Sequence, residues 1–142
     1  MCLTKLLYRF TSFKTSYISF GRKRVKVYLA DSSGKNMLGL MHRSTLRGSE
    51  GMLLMPGREA RHGIWMYNMR FAIDIVWLSR DGVVVDIRKN AMPCKSILSC
   101  PTYTPRLGAL YILEVIAGGS KSLGIRIGSR ADMSNINKPL YG

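Results

Sequence analysis

The sequence predicts a mainly β, compact single-domain fold of sandwich or barrel type with one or two short helices. Three observations carry this. Two apolar, β-branched runs at 73–78 and 83–88 are joined by Ser79-Arg80-Asp81-Gly82, and an Asp-Gly pair between such runs is a strong hairpin signal. Further short apolar runs recur between Gly and Pro turns. Helical periodicity is confined to short segments, and 142 residues suffice for one domain that buries roughly two-thirds of its unfolded surface.

The elements follow in order. Val25, Val27 and Leu29 alternate with Lys26, Tyr28 and Ala30, which reads as a first strand. Asp31-Ser32-Ser33-Gly34 is a turn or cap. Met37, Leu38, Leu40 and Met41 then have helical spacing, predicting a helix over 33–43. Gly51-Met52-Leu53-Leu54-Met55 is a strand stopped by Pro56-Gly57. Strands at 64–66, 73–78 and 83–88 come next, the last two forming the hairpin. Residues 89–108 form the longest irregular stretch, and Leu110 to Val115 returns as a strand. Ala117-Gly118-Gly119-Ser120 leads into a short helical turn, and Ile125, Ile127 and the segment 131–133 supply the last strand material.

Residues 1–24 are expected to be a basic, flexible tail or leader, with residues 25–142 as the single β-rich domain. The tail's Leu3, Leu6, Leu7, Phe10, Phe13, Tyr17 and Phe20 fall on one helical face, opposite Ser, Thr, Lys and Arg. A basic, acid-free amphipathic segment of this kind suits an organelle presequence or a membrane-surface helix. It lacks the apolar core of a secretory signal, so the cytoplasm is the expected location, and no stretch approaches the ~18–20 apolar residues of a membrane span. The net charge is +14; residues 1–30 hold seven basic residues and no acidic one. Such a field attracts polyanions, nucleic acid or anionic lipid. Arg58, Arg61, Arg70, Arg80, Arg88 and Lys89 add to the tail in that reading.

Cys94 and Cys100 lie in a Pro-bounded loop. Their five-residue spacer does not suit a zinc knuckle, so no metal and no cofactor are expected. A disulfide and two free thiols both remain open.

The chemistry-bearing residues are few. Asn68 and Asp74 sit in oily sequence beside Trp65, and a buried polar group needs a partner. Asp74 is expected to pair with an arginine, Arg43 being the first candidate. Glu114 interrupts an apolar strand; if it faces inward, it and Asp74 would make an acid–base carboxylate pair. No Gly-x-Ser-x-Gly and no phosphate loop are present. The glycine-rich turn at Gly118-Gly119-Ser120 still offers backbone N–H groups to an anion.

The order of motifs resembles one family. Gly39-Leu40-Met41-His42-Arg43, Gly51-Met52-Leu53, Trp65-Met66-Tyr67-Asn68-Met69, Ile73-Asp74-Ile75 and Asp81-Gly82 carry the first half. Pro93-Cys94, Cys100-Pro101-Thr102-Tyr103, Leu113-Glu114-Val115-Ile116-Ala117-Gly118 and Gly124-Ile125-Arg126-Ile127-Gly128 carry the second. The resemblance is to the uncharacterised domain of unknown function 192, over roughly residues 25–133. It implies a mostly β, sandwich-like domain and brings no mechanism with it. The chain departs from the family pattern at Met69, where Thr is usual, and at Ala72-Ile73, where Pro-Leu is usual.

The function read from these residues is a small-ligand-binding module. Its pocket is expected near Trp65, Asn68 and Asp74, with Arg43, Tyr103 and Glu114 as further candidates. The first alternative is a small hydrolase-type enzyme using Asp74 and Glu114; the second is a nucleic-acid or anionic-surface binder.

Overall fold

The computed structural model describes residues 3–136. A helix α1 (Leu3–Phe10) precedes a strand β1 (Lys14–Phe20), which turns into β2 (Lys23–Ala30). Helix α2 (Ser33–Leu38) leads to β3 (Glu50–Leu54), a short β4 (Ile64–Trp65), β5 (Ile73–Leu78) and β6 (Val84–Ala91). Then come β7 (Thr102–Tyr103), β8 (Tyr111–Ile116), α3 (Gly119–Ser122) and β9 (Ala131–Asp132).

Seven strands form one sheet in the order β6-β5-β8-β3-β2-β1-β9, and β4 pairs with β7 as a separate ribbon. All pairings in the large sheet are antiparallel except β2 with β3, which are parallel and joined across α2. A bridge between Val83 and Arg130 brings the two ends of the sheet together, so the sheet curls toward a barrel.

This curling separates two cores. The inner one draws Ile18, Phe20, Val25, Val27, Leu53, Val76, Leu78, Val84, Leu113, Val115 and Ala131 from all seven strands. The outer one lies on the opposite sheet face, where Met52, Leu54, Ile73, Ile75, Trp77 and Ile112 pack under Leu40, Leu46, Met66 and the β4–β7 ribbon. Strands β5 and β8 are therefore covered on both faces, which is why they read as nearly continuous apolar runs. Trp77 is buried whole because its indole N–H donates to the His62 carbonyl at 3.0 Å.

The predicted hairpin is present. β5 and β6 are antiparallel, and Gly82 occupies φ +81° in the turn, where a β-carbon would meet the Ala131 carbonyl at 2.7 Å. Helix α2 is shorter than the expected 33–43. Ser32 caps its start by accepting from the Lys35 N–H, and Gly39 at φ +47° ends it. The apolar residues beyond, Leu40 and Met41, are buried from an irregular turn.

The domain boundary at residue 24 is corrected. Ile18 and Phe20 are 1% and 5% exposed, and β1 pairs with β2 along its whole length through a two-residue turn at Gly21-Arg22. Ser16, Ile18 and Phe20 share one strand face, a period-2 pattern hidden inside an apparently helical one. Removing residues 1–12 is expected to lower the melting temperature by only a few degrees, the response to about 1 kcal/mol or less. Removing residues 1–20 should abolish the cooperative transition, because the inner core loses an entire strand. Calorimetry on the two truncations checks this; similar melts would refute it.

Candidate functional site

Asp74 and Glu114 stand on adjacent strands but on opposite faces of the sheet. Asp74 lies opposite Val115, and Ile75 lies opposite Glu114. Residues directly opposite each other share a face, so Asp74 points with Val115 into the inner core and Glu114 points with Ile75 into the outer one. The proposed carboxylate pair is thereby excluded, and with it the acid–base division that the hydrolase reading required.

Asp74 is 1% exposed and fully engaged. Its Oδ1 accepts from the Asn90 N–H at 2.9 Å, with Asn90 held at φ +52°. Its Oδ2 accepts from the Gly118 N–H at 3.2 Å, the Ser120 N–H at 3.1 Å and the Ser120 hydroxyl at 2.6 Å. The glycine-rich turn thus does bind an anion, and the anion is the chain's own carboxylate. No arginine takes part, which corrects the expected pairing with Arg43. The result is a clamp that ties β5 to the end of β6 and to the start of α3. Ser120, which completes it, was not singled out from sequence; the Gly-Gly-Ser turn was the available signal.

Arg43 instead stacks on aromatic rings, its guanidinium carbon 4.4 Å from the Tyr28 ring centre and 5.5 Å from that of Phe13. Its Nε is buried without a hydrogen-bond partner among the described residues.

Glu114 is the opposite case to Asp74. It is 4% exposed, and among the described residues nothing hydrogen-bonds its carboxyl group. It reaches a cavity of about 140 Å³ lined also by Asn36, Gly39, Leu40, Met41, Leu54, Ile64, Trp65 and Met69. Desolvation in these surroundings pushes its pKa from 4.5 up to about 7. The turn at Gly39 forms one wall: a β-carbon there would sit 3.8 Å from Glu114 Oε1. Asn36 forms another wall. Its amide accepts from the Met55 N–H at 2.9 Å and donates to the Ser32 carbonyl at 2.9 Å, so it is locked in place. Trp65 is 38% exposed and stands beside Tyr67, their ring centres 5.3 Å apart.

Of the expected pocket, then, Trp65 and Glu114 come together, while Asn68, Asp74, Arg43 and Tyr103 do not line this cavity. Asn68 is a turn residue at φ +62°; its carbonyl accepts from the His42 N–H at 2.9 Å and its side-chain amide donates to the Thr4 hydroxyl at 3.1 Å. Tyr103 pairs with Ile64 in the ribbon, and the Arg88 guanidinium sits 4.6 Å from its ring centre. Gly39, Asn36 and Met69 were missed as pocket residues, since only the fold brings them to Glu114. Cys94 and Cys100 form a disulfide, with Cα atoms 5.4 Å apart, closing the loop before β7. Of the cations in the polyanion reading, Arg61 is consumed in part by the Pro105 carbonyl, to which its Nε donates at 2.7 Å. No helix among the described residues is long and apolar enough to cross a membrane.

Comparison with known proteins agrees with this architecture. The crystal structure of a "putative transcription regulator" from Sinorhizobium meliloti 1021 superposes with a TM-score of 0.77 at 27% identity, over 86% of this chain and 95% of that one. A protein of unknown function from Novosphingobium aromaticivorans DSM 12444 gives 0.76 at 25% identity, over 87% and 88%. The UPF0127 protein TK1120 of Thermococcus kodakarensis is 31% identical over 103 residues, which is 72% of this chain and 61% of that relative's length. The model of the DUF192 family, described as an uncharacterized ACR, matches residues 16–133. The match begins inside β1 and includes both the Asp74 clamp and the Glu114 cavity, and the chain belongs to the DUF192 family.

Proposed function

We propose that the domain is a small-ligand-binding module whose ligand carries a compact cationic group, an amine or ammonium, into the Glu114 cavity. One observation carries this reading: a glutamate only 4% exposed, whose carboxyl group has no hydrogen-bond partner among the described residues, borders a small cavity with both polar and apolar walls. A buried carboxyl normally finds a partner or stays protonated. An ammonium would supply both the missing hydrogen bonds and the missing charge. Trp65 at the wall adds an aromatic surface to which cations are attracted. A volume of about 140 Å³ is close to the roughly 150 Å³ that admits a benzene-sized guest, so a small group fits and a drug-sized molecule does not.

The neighbouring cavity, beyond Asn36, is larger at about 470 Å³. Its Asp31 is already paired with Lys35 at 3.3 Å, and nothing in it asks for a ligand as Glu114 does.

The test is a titration with n-butylammonium at pH 8, with n-butanol as the neutral control, followed through the two indole N–H signals of Trp65 and Trp77. The ammonium is expected to move the Trp65 signal saturably, the alcohol to do so much less, and Glu114→Gln to lose the response. Equal effects of the two probes, or no effect on Trp65 from either, would overturn the reading.

A further inference from the structure

Helix α1 leaves much of its apolar side open to solvent. At about 100° per residue, Leu3, Leu6, Leu7 and Phe10 share one sector, Thr4 and Tyr8 the next, and Lys5 and Arg9 the third. It is the Thr4–Tyr8 sector that faces the domain. The Thr4 hydroxyl accepts from the Asn68 amide at 3.1 Å and lies 2.9 Å from His42 Nε2, and the Tyr8 and His42 rings are 6.2 Å apart. Burial, aided by the charges of Lys5 and Arg70, lowers the His42 pKa. The imidazole tautomer sets which of Thr4 and His42 donates in this contact. No residue of α1 is buried: Leu3 and Phe10 are 78% and 81% exposed, and Leu6 and Leu7, nearer the domain, 43% and 38%. An ordinary surface helix does the reverse and turns its apolar stripe to the core.

The charge around this stripe selects its partner. Lys5 and Arg9 flank it, Lys14 follows in β1, and no acidic residue occurs before Asp31. A second copy of the chain would bring two +7 segments face to face, which like-charge repulsion opposes. An anionic bilayer meets both requirements: acyl chains for the leucines and Phe10, phosphates for Lys5 and Arg9. We propose that α1 is a reversible membrane-surface anchor for anionic lipid, docked on the domain chiefly through Thr4 and Tyr8 so that the Leu3 and Phe10 ends of its apolar stripe stay open. The anchor is independent of the ligand proposed for the Glu114 cavity.

The experiment is cosedimentation of the full chain with vesicles of phosphatidylcholine alone or mixed with phosphatidylglycerol, at low and high salt. Binding is expected to the mixed vesicles only and to fall steeply with salt. Replacing Leu6 and Phe10 together by serine leaves the charge untouched, so a nonspecific attraction of the +14 chain would survive it. The expected loss is roughly ten-fold or more in vesicle affinity, with the melting temperature nearly unchanged, because neither side chain belongs to either core. Equal binding of this variant and the wild type would overturn the proposal, as would no binding to the mixed vesicles at low salt. Equal binding to pure phosphatidylcholine would also overturn it. So would a concentration-dependent dimer that the serine variant abolishes in the absence of vesicle binding, because the stripe would then be a self-association face.

Discussion

Asp74→Asn is expected to destabilise the fold by about 3 kcal/mol, a fall of roughly 10 °C in melting temperature for a domain of this size. The carboxylate accepts from four donors, one on Oδ1 and three on Oδ2. Asparagine keeps one acceptor and turns the other position into an N–H₂ donor. If its oxygen takes the three-donor position, the amide nitrogen faces the Asn90 N–H; flipped, it faces Gly118 and Ser120. Either way a buried donor confronts a donor, and the two chain segments that Asp74 ties to β5 lose their anchor. Ser120→Ala removes only the 2.6 Å contact and should cost about 1–2 kcal/mol. The double variant should lose less than the sum, because both changes act on one network. Thermal melts of the three variants check this. A near-native melt for Asp74→Asn would return Asp74 to the list of functional residues, since a strained site often gains stability when its functional group is removed.

What could be read from the chain divides along a physical line. The β5–β6 hairpin was legible because its signal is local: Asp81-Gly82 supplies the turn and the flanking runs supply the strands. Strand β1 was not, because Leu3 through Phe20 satisfies a helical and a strand period in turn. Only the partner β2 decides which of them wins over 14–20. The site shows the same division. Asp74 and Glu114 each stood out as a carboxylate in apolar sequence, and burial confirms both signals. Their pairing failed on register. A shift of one residue across the β5–β8 ladder decides which face each carboxylate takes, and no composition or spacing within either strand contains that register. The clamp was half legible: the Gly118-Gly119-Ser120 turn was recognised as an anion site, but the anion lies 44 to 46 residues earlier in the chain.

Glu114→Gln is expected to make the protein more stable above neutral pH and to leave it nearly unchanged in mild acid. The carboxyl pKa is about 7 in the folded protein and 4.5 where it is solvated. At pH values below 4.5 both states hold the proton, and Glu114 opposes folding least there. As pH rises from about 4.5 to 7, the unfolded chain releases its proton while the folded one retains it, so stability is lost across this window. Beyond pH 7 both are ionised, and the penalty levels off at about 3 kcal/mol, the free-energy equivalent of the two pKa values. Glutamine has no proton to lose. At pH 8 the variant should therefore melt roughly 10 °C above the wild type, and near pH 4.5 the two should nearly coincide. Comparing the two proteins isolates Glu114, because every other titrating group is common to both. Parallel pH profiles would show that the carboxyl is not held apart from water. The same pair tests the ligand reading. An ammonium that pairs with the ionised carboxyl stabilises only the folded wild type, so at pH 8 it should raise the wild-type melt toward that of Glu114→Gln and leave the variant where it is.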